Sequence, residues 1–217
     1  MRKSIAIFGT ALLLVLTVCG CTKPAEKAKD TEAASAPAVQ QEEALHPGVI
    51  AGRQQTTKTD GCKTLTEIVD KALADGQGYA NEAIGDDPGV LLVSEHTFGA
   101  DEHPAAEAAE LFSYKDGQIV YLGYVKTGGT ATPLAIKDGL LYSSGHHYAG
   151  KHTVRNGSLL TLEEAWETFD KAGNVSYHYS SENAADSMES EKAKPEFDRL
   201  MQEYYEAASI VFDPVKR

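Results

Sequence analysis

The alternation of apolar and polar positions predicts a first helix over residues 64–75. Thr64 and Glu67 match the Ser/Thr-x-x-Glu capping box that begins many helices, and Gly76 follows the last helical position. The apolar residues inside the helix recur at helical spacing and predict one face packed on a sheet: Leu65, Ile68, Val69, Ala72 and Leu73.

A second amphipathic helix is predicted near the C-terminus. Pro195 can occupy a position in its first turn, where a backbone N–H is not needed. The apolar positions again follow helical spacing: Phe197, Leu200, Met201, Tyr204, Tyr205 and Ala208.

Strands are predicted between the two helices. Residues 89–94 (GVLLVS) and 118–125 (QIVYLGYV) have apolar residues at both odd and even positions, which is typical of strands covered on both faces. We therefore expect these two strands at the centre of the sheet. Residues 104–111 are rich enough in Ala and Glu for a helix, and residues 162–169 fit either a helix or a strand.

Four turn sequences separate the apolar runs. Asp-Gly and Asn-Gly favour tight hairpins because Gly and Asn accept positive φ. The turns are residues 114–117 (YKDG), 136–139 (IKDG), 154–157 (VRNG) and 169–174 (FDKAGN). The predicted fold class is α+β: an antiparallel β-meander of about seven strands, curved enough that it could form a barrel, flanked by an N-terminal and a C-terminal helix.

The N-terminus carries a targeting segment. Arg2 and Lys3 precede a charge-free apolar run, residues 5–18, with the length of a signal peptide rather than of a membrane span. The run ends in Val18-Cys19-Gly20-Cys21, which resembles the lipobox of bacterial lipoproteins. This resemblance implies a lipoprotein precursor: residues 1–20 are removed as a signal peptide, and Cys21 receives diacylglycerol and can carry a further acyl chain such as palmitate.

Two alternatives to lipidation are a plain secretory signal and an uncleaved membrane helix. If Cys21 is lipidated, two or more acyl chains would hold the protein stably on a bilayer, in the cell envelope and outside the cytoplasm. Thr22 stands where many lipoproteins retained in the Gram-negative inner membrane have Asp. The resemblance then implies the outer membrane facing the periplasm in a Gram-negative cell, and the cell surface otherwise.

Residues 22–45 contain Ala, Lys, Glu and Pro with few large apolar side chains, which predicts a flexible tether, with transient helix as the alternative. The predicted organisation is a signal peptide at residues 1–20, the lipidated Cys21 and tether at 21–45, and a single α+β domain at 46–217.

The charge balance excludes one class of partner. The chain has a net charge of −12, and loss of Arg2 and Lys3 with the signal peptide would leave −14. Without a cluster of Lys and Arg to release counterions from a polyanion, we expect no nucleic-acid partner. Cys62 would be the only free thiol of the mature chain, and we expect it to be buried rather than nucleophilic.

Three of the seven histidines lie close together in the sequence. His146, His147 and His152 offer imidazole nitrogens that zinc or copper would accept. The alternative interpretation is that surface or hydrogen-bonded histidines happen to lie near a turn. The strong zinc spacings, HExxH and paired CxxC, do not occur.

The metal hypothesis depends on where the chain bends. A hairpin bend near Ala149 and Gly150 could place His147 opposite His152, and His96 or Glu95 of a neighbouring strand could complete the site.

Carboxylates near the ends of a central strand are the candidates for acid and base chemistry. Asp101, Glu102 and His103 follow this strand, and Asp86 and Asp87 precede it. Such groups could support an envelope hydrolase if two of them were held a few ångströms apart. Solvated loop charge is the commoner explanation of such a pattern.

Other motifs carry no chemistry at this stage. Ser143 and Ser144 lack the Gly-x-Ser-x-Gly elbow, and Gly128-Gly129 fits a hairpin loop better than a phosphate cradle. Tyrosines at alternate strand positions, as at Tyr177 and Tyr179, could line a ligand groove but are more often sheet core.

The hairpins with aromatic-Lys-Asp-Gly, TGGTATP at residues 127–133 and YSSGHHY at residues 142–148 resemble small secreted bacterial lipoproteins of unknown function, across residues 60–212. This resemblance implies no activity, cofactor or catalytic residue. The leading hypothesis is a non-enzymatic, lipid-anchored protein that binds a small ligand or an envelope partner. A zinc- or copper-binding lipoprotein is the alternative, and an envelope hydrolase is the third.

Overall fold

The computed structural model describes residues 47–99, 102–183 and 188–217. The signal peptide, Cys21 and the tether predicted from the sequence lie outside these residues, as does Asp101. The described residues form two open antiparallel sheets. No helix among them is both long and apolar enough to cross a membrane.

The first sheet has six strands. They are β1 (Gly48–Val49), β2 (Gly78–Ile84), β3 (Asp87–Ser94), β4 (Ala108–Lys115), β5 (Gln118–Lys126) and, from the C-terminus, β13 (Asp213–Pro214). Their order across the sheet is β1-β5-β4-β3-β2-β13, so β2 to β5 form a meander with a short strand paired to each side.

The second sheet has seven strands. They are β6 (Ala135–Lys137), β7 (Leu140–Gly145), β8 (Tyr148–Arg155), β9 (Ser158–Phe169), β10 (Val175–Ser181), β11 (Met188–Glu189) and β12 (Ala208–Ser209). Their order is β11-β10-β9-β8-β7-β6-β12, a second meander closed at one edge by β12. The outermost strands of both sheets are only two residues long.

Two helical segments flank the sheets. Helix α1 (Leu65–Glu67) continues as a π-helical turn (Ile68–Ala72), and α2 (Ala193–Glu206) follows a 3₁₀ turn. The Thr64 hydroxyl accepts from the Glu67 N–H at 3.2 Å, as the capping box predicts. The Glu67 carboxylate returns a bond to the N–H of Lys63 at 2.5 Å rather than to that of Thr64. The first helix thus begins where predicted and ends three residues early, at Ala72.

The predicted hairpin turns are confirmed. Asp116, Asp138 and Asn156 have φ of 51°, 52° and 54°, and each is followed by a glycine that also has positive φ. This pair of positive φ values is the type I′ turn whose twist matches that of the flanking strands. In the fourth turn, the Asp170 carboxylate accepts from the N–H groups of Ala172 and Asn174, each at 2.8 Å.

The prediction of an antiparallel, mainly β fold with two flanking helices is confirmed, but the single seven-stranded and barrel-like meander is wrong. The described residues contain thirteen strands in two sheets that do not close. After β5 the chain leaves the first sheet and starts another at β6. Because both meanders use the same hairpin turns, the local sequence does not show that change of sheet.

The central strands also differ from the prediction. β3 is buried on both faces as expected, whereas β5 lies next to the short strand β1 and is mostly half-buried. Residues 108–111, the second half of the segment that could have formed a helix, lie in the central strand β4, and residues 162–169 belong to β9. Small alanines suit β4 because layers pack closely on both of its faces.

The main core lies between the two sheets. Residues on the inner faces of β2, β3 and β4 pack against inner residues of β7, β8 and β9, among them Leu92, Leu111, Leu141 and Val154. α1 covers the outer face of the first sheet, and α2 covers the outer face of the second. The described domain is therefore a four-layer arrangement of helix, sheet, sheet and helix.

The C-terminal segment joins the two sheets. After pairing with β6 through β12, the chain crosses to the first sheet, where β13 pairs with β2. Between these strands, Ile210 and Phe212 are buried in the core shared by both sheets. Backbone bonds from Ile210 N to Leu134 O (3.0 Å) and from Phe212 N to Pro104 O (2.8 Å) hold the crossing.

Replacing Phe212 with Ala should lower the free energy of unfolding by about 3–5 kcal/mol, because it leaves a cavity between the sheets. Neighbouring Val211 is 47% exposed, so Val211→Ala should cost less than about 0.5 kcal/mol. Urea denaturation of both variants measures the difference. If both variants lost the same free energy of unfolding, the core role of the crossing segment would be contradicted.

Candidate functional site

An open groove lies at one end of the second sheet. It has a volume of about 420 Å³ and is formed by three parts of the chain: the loop between β5 and β6, the turn between β7 and β8, and the last turns of α2. Its lining residues are Gly128, Gly129, Thr130, Ala131, Thr132, Gly145, His146, Met201 and Tyr205. The two segments singled out by sequence, TGGTATP and YSSGHHY, thus meet in one place.

Two glycines let the loop and the turn touch. A Cβ atom added to Gly128 would lie 2.7 Å from the Cα of Gly145, and one added to Gly145 would lie 3.1 Å from the Cα of Gly128. Any side chain at Gly128 would therefore push the two walls apart. The Gly128 N–H donates to the Ser144 carbonyl at 2.7 Å across this contact.

The loop is held by further hydrogen bonds. The Thr132 hydroxyl lies 3.0 Å from the Ser144 carbonyl, and the Thr132 N–H donates to the Gly129 carbonyl at 3.0 Å. The Tyr204 hydroxyl donates to the Pro133 carbonyl at 3.0 Å, which ties the end of α2 to the same loop. The walls of the groove are thus fixed without a ligand, so binding would cost little reorganisation.

Tyr205 is the most exposed large apolar side chain among the described residues, at 67%. Its ring packs edge-on against that of Tyr204, with 5.6 Å between centroids. Tyr205 was predicted on the apolar face of the helix, with Tyr204, but only Tyr204 is buried. Adjacent helical positions point about 100° apart, so only one of two successive tyrosines can face the sheet.

A network of charges fixes α2 on the second sheet. Lys151 of β8 pairs with Glu203 of α2 at 2.8 Å and with Glu163 of β9 at 2.9 Å. Arg199 of α2 pairs with the same two carboxylates. Burial tends to raise the pKa of Glu163, but hydrogen bonds from Lys151 and Arg199 outweigh burial and lower it. Because each carboxylate bridges both cations, the helix is held in one position along the sheet, which places Met201 and Tyr205 on the groove.

The three histidines of the metal hypothesis do not come together. The bend lies at His146 and His147 themselves, not near Ala149 and Gly150, which are inside β8. His147 pairs with Glu167 at 2.8 Å, His146 lines the groove, and His152 points into the core between the sheets. Among the residues that the structure describes, no group of three His, Cys, Asp or Glu side chains could hold a metal ion.

His152 forms a buried polar cluster instead. Its Nε2 lies 2.7 Å from the Ser143 hydroxyl and its Nδ1 lies 3.1 Å from the Thr161 hydroxyl. Ser143 and His152 are both fully buried. The pair resembles a nucleophile with its base, but no substrate can reach it, and burial lowers the pKa of His152 to about 3. Its evident role is to satisfy polar groups inside the sandwich.

The acidic candidates serve turns. The Asp86 carboxylate accepts from the Asn156 N–H at 3.1 Å, and the Asp87 carboxylate accepts from the Gly89 N–H at 3.0 Å. Glu102 and His103 are exposed. These contacts account for Asp86 and Asp87 as hydrogen-bond acceptors that hold loops.

A second cleft, near Glu95, His96 and Glu110, has a volume of only about 90 Å³. This volume lies well below the roughly 300–1,000 Å³ of small-molecule sites. The buried Glu110 carboxylate accepts from the backbone N–H groups of Thr56 and Thr57 at 2.5 and 2.9 Å. It therefore holds the segment before α1 on the sheet.

Cys62 is half-buried. It packs against the core under α1, and its thiol lies 3.4 Å from the Glu67 carbonyl. This agrees with a packing role rather than a nucleophilic one.

The tyrosines proposed as a groove on β10 are packed. Tyr177 and Tyr179 lie against α2, where the Tyr177 ring contacts that of Phe197 with 5.8 Å between centroids. The ring of Tyr205, from the helix, lines the groove instead.

Comparison with protein-family models, with curated proteins and with solved structures finds no match to this chain.

Sequence reasoning missed that Met201 and Tyr205 belong to the groove. Two adjacent tyrosines near the end of a helix are a signal that could have pointed to Tyr205, since both cannot be buried on one face. The Ser143–His152 pair could have been suspected from strand pairing. In a hairpin that turns at residues 146 and 147, residue 143 lies opposite residue 150, within reach of a long side chain at 152.

The buried His152 should make stability depend on pH. Its pKa is about 3 in the folded chain against 6.5 in the unfolded chain, so the unfolded chain alone takes up a proton between these values. Above pH 6.5 the free energy of unfolding does not change through His152. Between the two pKa values it falls by about 1.4 kcal/mol for each unit by which the pH is lowered. Urea denaturation between pH 7 and pH 4.5, above the range of the carboxylates, measures it.

His152→Gln should remove this slope between pH 7 and pH 4.5, whatever its effect at neutral pH. The matched control is His147→Gln, which leaves the buried imidazole in place and should keep the slope. An unchanged slope in His152→Gln would contradict the assignment to His152.

Proposed function

We propose that this chain is a lipid-anchored, extracytoplasmic protein whose β-rich domain binds a small ligand in the groove beside Tyr205 without converting it chemically. The observation that carries the binding function is the groove itself. Its volume of about 420 Å³ falls in the range of roughly 300–1,000 Å³ that small-molecule sites occupy. It also combines an exposed aromatic ring with polar groups that hydrogen bonds already hold in place.

The lining of the groove supports binding rather than catalysis. Among the described residues that line it, the titratable side chains are those of His146 and Tyr205. General acid and base chemistry usually requires two groups with separated pKa values, and nucleophilic catalysis requires a nucleophile next to a base. The Ser143–His152 pair, which has that spacing, is sealed inside the core.

The anchor is supported by the motif at Cys21 alone. A domain on a tether, held by acyl chains, would keep its groove near a membrane surface while remaining free to meet soluble ligands. The acidic balance of the chain agrees with a domain that is repelled by anionic envelope surfaces.

Lipidation is tested by substituting the two adjacent cysteines one at a time. With alkyne-palmitate labelling in a bacterial host, the wild type and Cys19→Ser should carry the label and sediment with membranes. Cys21→Ser should lose the label, because only the Cys21 thiol accepts the lipid. Labelled Cys21→Ser, or release of the wild type from membranes by alkaline carbonate, would contradict the anchor.

Ligand binding is tested with a mixed panel of free sugars, amino acids and dipeptides, observed by saturation-transfer NMR on the full-length protein. At least one compound should bind the wild type and lose about tenfold in affinity in Tyr205→Ser, because an aromatic contact worth roughly 1.5 kcal/mol is removed. The matched control is Tyr114→Ser, which removes another exposed tyrosine, at the end of β4.

Two outcomes would sink this function. If every compound that binds does so equally in Tyr205→Ser, the groove is not the site. If mass spectrometry shows that the wild type converts a bound compound and Tyr205→Ser does not, the protein is an enzyme.

A further inference from the structure

We propose that the ligand of this groove is a neutral saccharide of one or two pyranose units. This inference rests on the proposed ligand-binding function and names its ligand class. It is carried by three properties of the lining: its charge, its hydrogen-bonding groups and its one exposed ring.

The first property is the lack of charge. Asp, Glu, Lys and Arg make up 24% of the chain, yet none of them is among the described residues that line the groove. Glu206, next to Tyr205, already pairs with Lys137 at 2.6 Å. A ligand carboxylate, phosphate or ammonium would lose water here without gaining a counter-charge, which is unfavourable. Neutral ligands carry no such penalty.

The second property is the mixture of donors and acceptors. The Thr130 hydroxyl can donate one hydrogen bond and accept two, and the ring nitrogens of His146 can also form hydrogen bonds. The Thr132 hydroxyl lies within hydrogen-bond distance of the Ser144 and Gly129 carbonyls, so its proton is used there and its lone pairs remain to accept. A sugar hydroxyl can also donate and accept through the same oxygen. It can therefore form a hydrogen bond with a protein group that is either a donor or an acceptor.

The third property is the exposed ring of Tyr205. A pyranose has C–H groups on its faces and hydroxyls around its rim, so it can lie with one face on an aromatic ring while its rim bonds to polar neighbours. Tyr205 is fixed on α2 and braced by Tyr204, so little side-chain freedom is lost on binding. The thioether of Met201, 3.4 Å from the Ser144 hydroxyl, adds an adaptable apolar contact.

A peptide fits this site less well. Extended peptides usually bind by adding a strand to a free sheet edge. The strand that follows the groove loop, β6, is already paired through Ala135 and Ile136 with Ser209 and Ala208 of β12. A short peptide would also bring charged termini to an uncharged lining.

The test compares sugars that share a glucosamine ring and differ in charge. Saturation-transfer NMR on the full-length protein would use N-acetylglucosamine and its dimer as neutral probes, glucosamine as the cation and N-acetylmuramic acid as the anion. Maltose tests another neutral sugar, and N-acetyl-dialanine amide tests a neutral peptide. We expect a neutral sugar to bind in the micromolar to millimolar range, with both charged analogues at least about tenfold weaker.

Two variants of groove residues and one control variant locate the binding. Tyr205→Ser should lower the affinity for the neutral sugar about tenfold, and Tyr114→Ser should leave that affinity unchanged. Thr130→Val removes a hydroxyl and nearly keeps the side-chain volume, and it should also lower the affinity for the neutral sugar. Circular dichroism of each variant would show that the fold is retained.

The outcomes separate the two proposals. If the dipeptide amide or a charged sugar binds in a Tyr205-dependent way and no neutral sugar does, the saccharide inference is wrong and the ligand-binding function stands. If no neutral sugar binds at millimolar concentration, the saccharide inference is also overturned. If, in addition, no compound of the mixed panel depends on Tyr205, the ligand-binding function falls with it.

Discussion

The described structure depends on one apolar layer buried between two antiparallel sheets. Neither sheet could be stable alone, because each has an inner face of Leu, Val and Ala that must leave water. Ile210 and Phe212 complete this layer. They lie near the C-terminus, between β12 and β13, and belong to no strand of either sheet. The fold is therefore closed only when the C-terminal segment crosses from one sheet to the other. The helix α2 comes just before this crossing and lies on the outer face of the second sheet. Its last turn lies beside the loop that follows β5.

Polar groups in this domain are divided between the interior and the outer layer. Inside the sandwich, Ser143, His152 and Thr161 bond to one another and carry no net charge, because burial keeps the imidazole neutral. Under α2, charged groups are tolerated since Lys151 and Arg199 each meet both Glu163 and Glu203. The first cluster fills the core, and the second fixes the position of the helix. The groove depends on the second, because Met201 and Tyr205 lie on the helix that these charges hold.

The groove combines three structural features. It has a backbone contact that only glycines allow, a loop pinned by Thr132 and Tyr204, and a large exposed ring. A rigid wall with an exposed aromatic side chain retains apolar surface in water, which is a cost that binding can recover. The lack of Asp, Glu, Lys and Arg among the described lining residues is the basis on which we propose a neutral ligand. The lipid anchor and tether that we propose would hold such a groove near an envelope surface.

The sequence alone determined the local features of this protein. The capping residue Thr64, the type I′ turns at Asp116, Asp138 and Asn156, and the first-turn position of Pro195 all follow from the conformational preferences of a few residues. The sequence also drew attention to TGGTATP and YSSGHHY, through their resemblance to segments of small secreted lipoproteins. Only the tertiary structure decided that the meander divides into two sheets, that β4 is central, that His152 faces the core, and that Tyr205 faces the groove. These outcomes depend on which surfaces meet across the sandwich, and residues far apart in the chain decide that jointly, so no local pattern contains it.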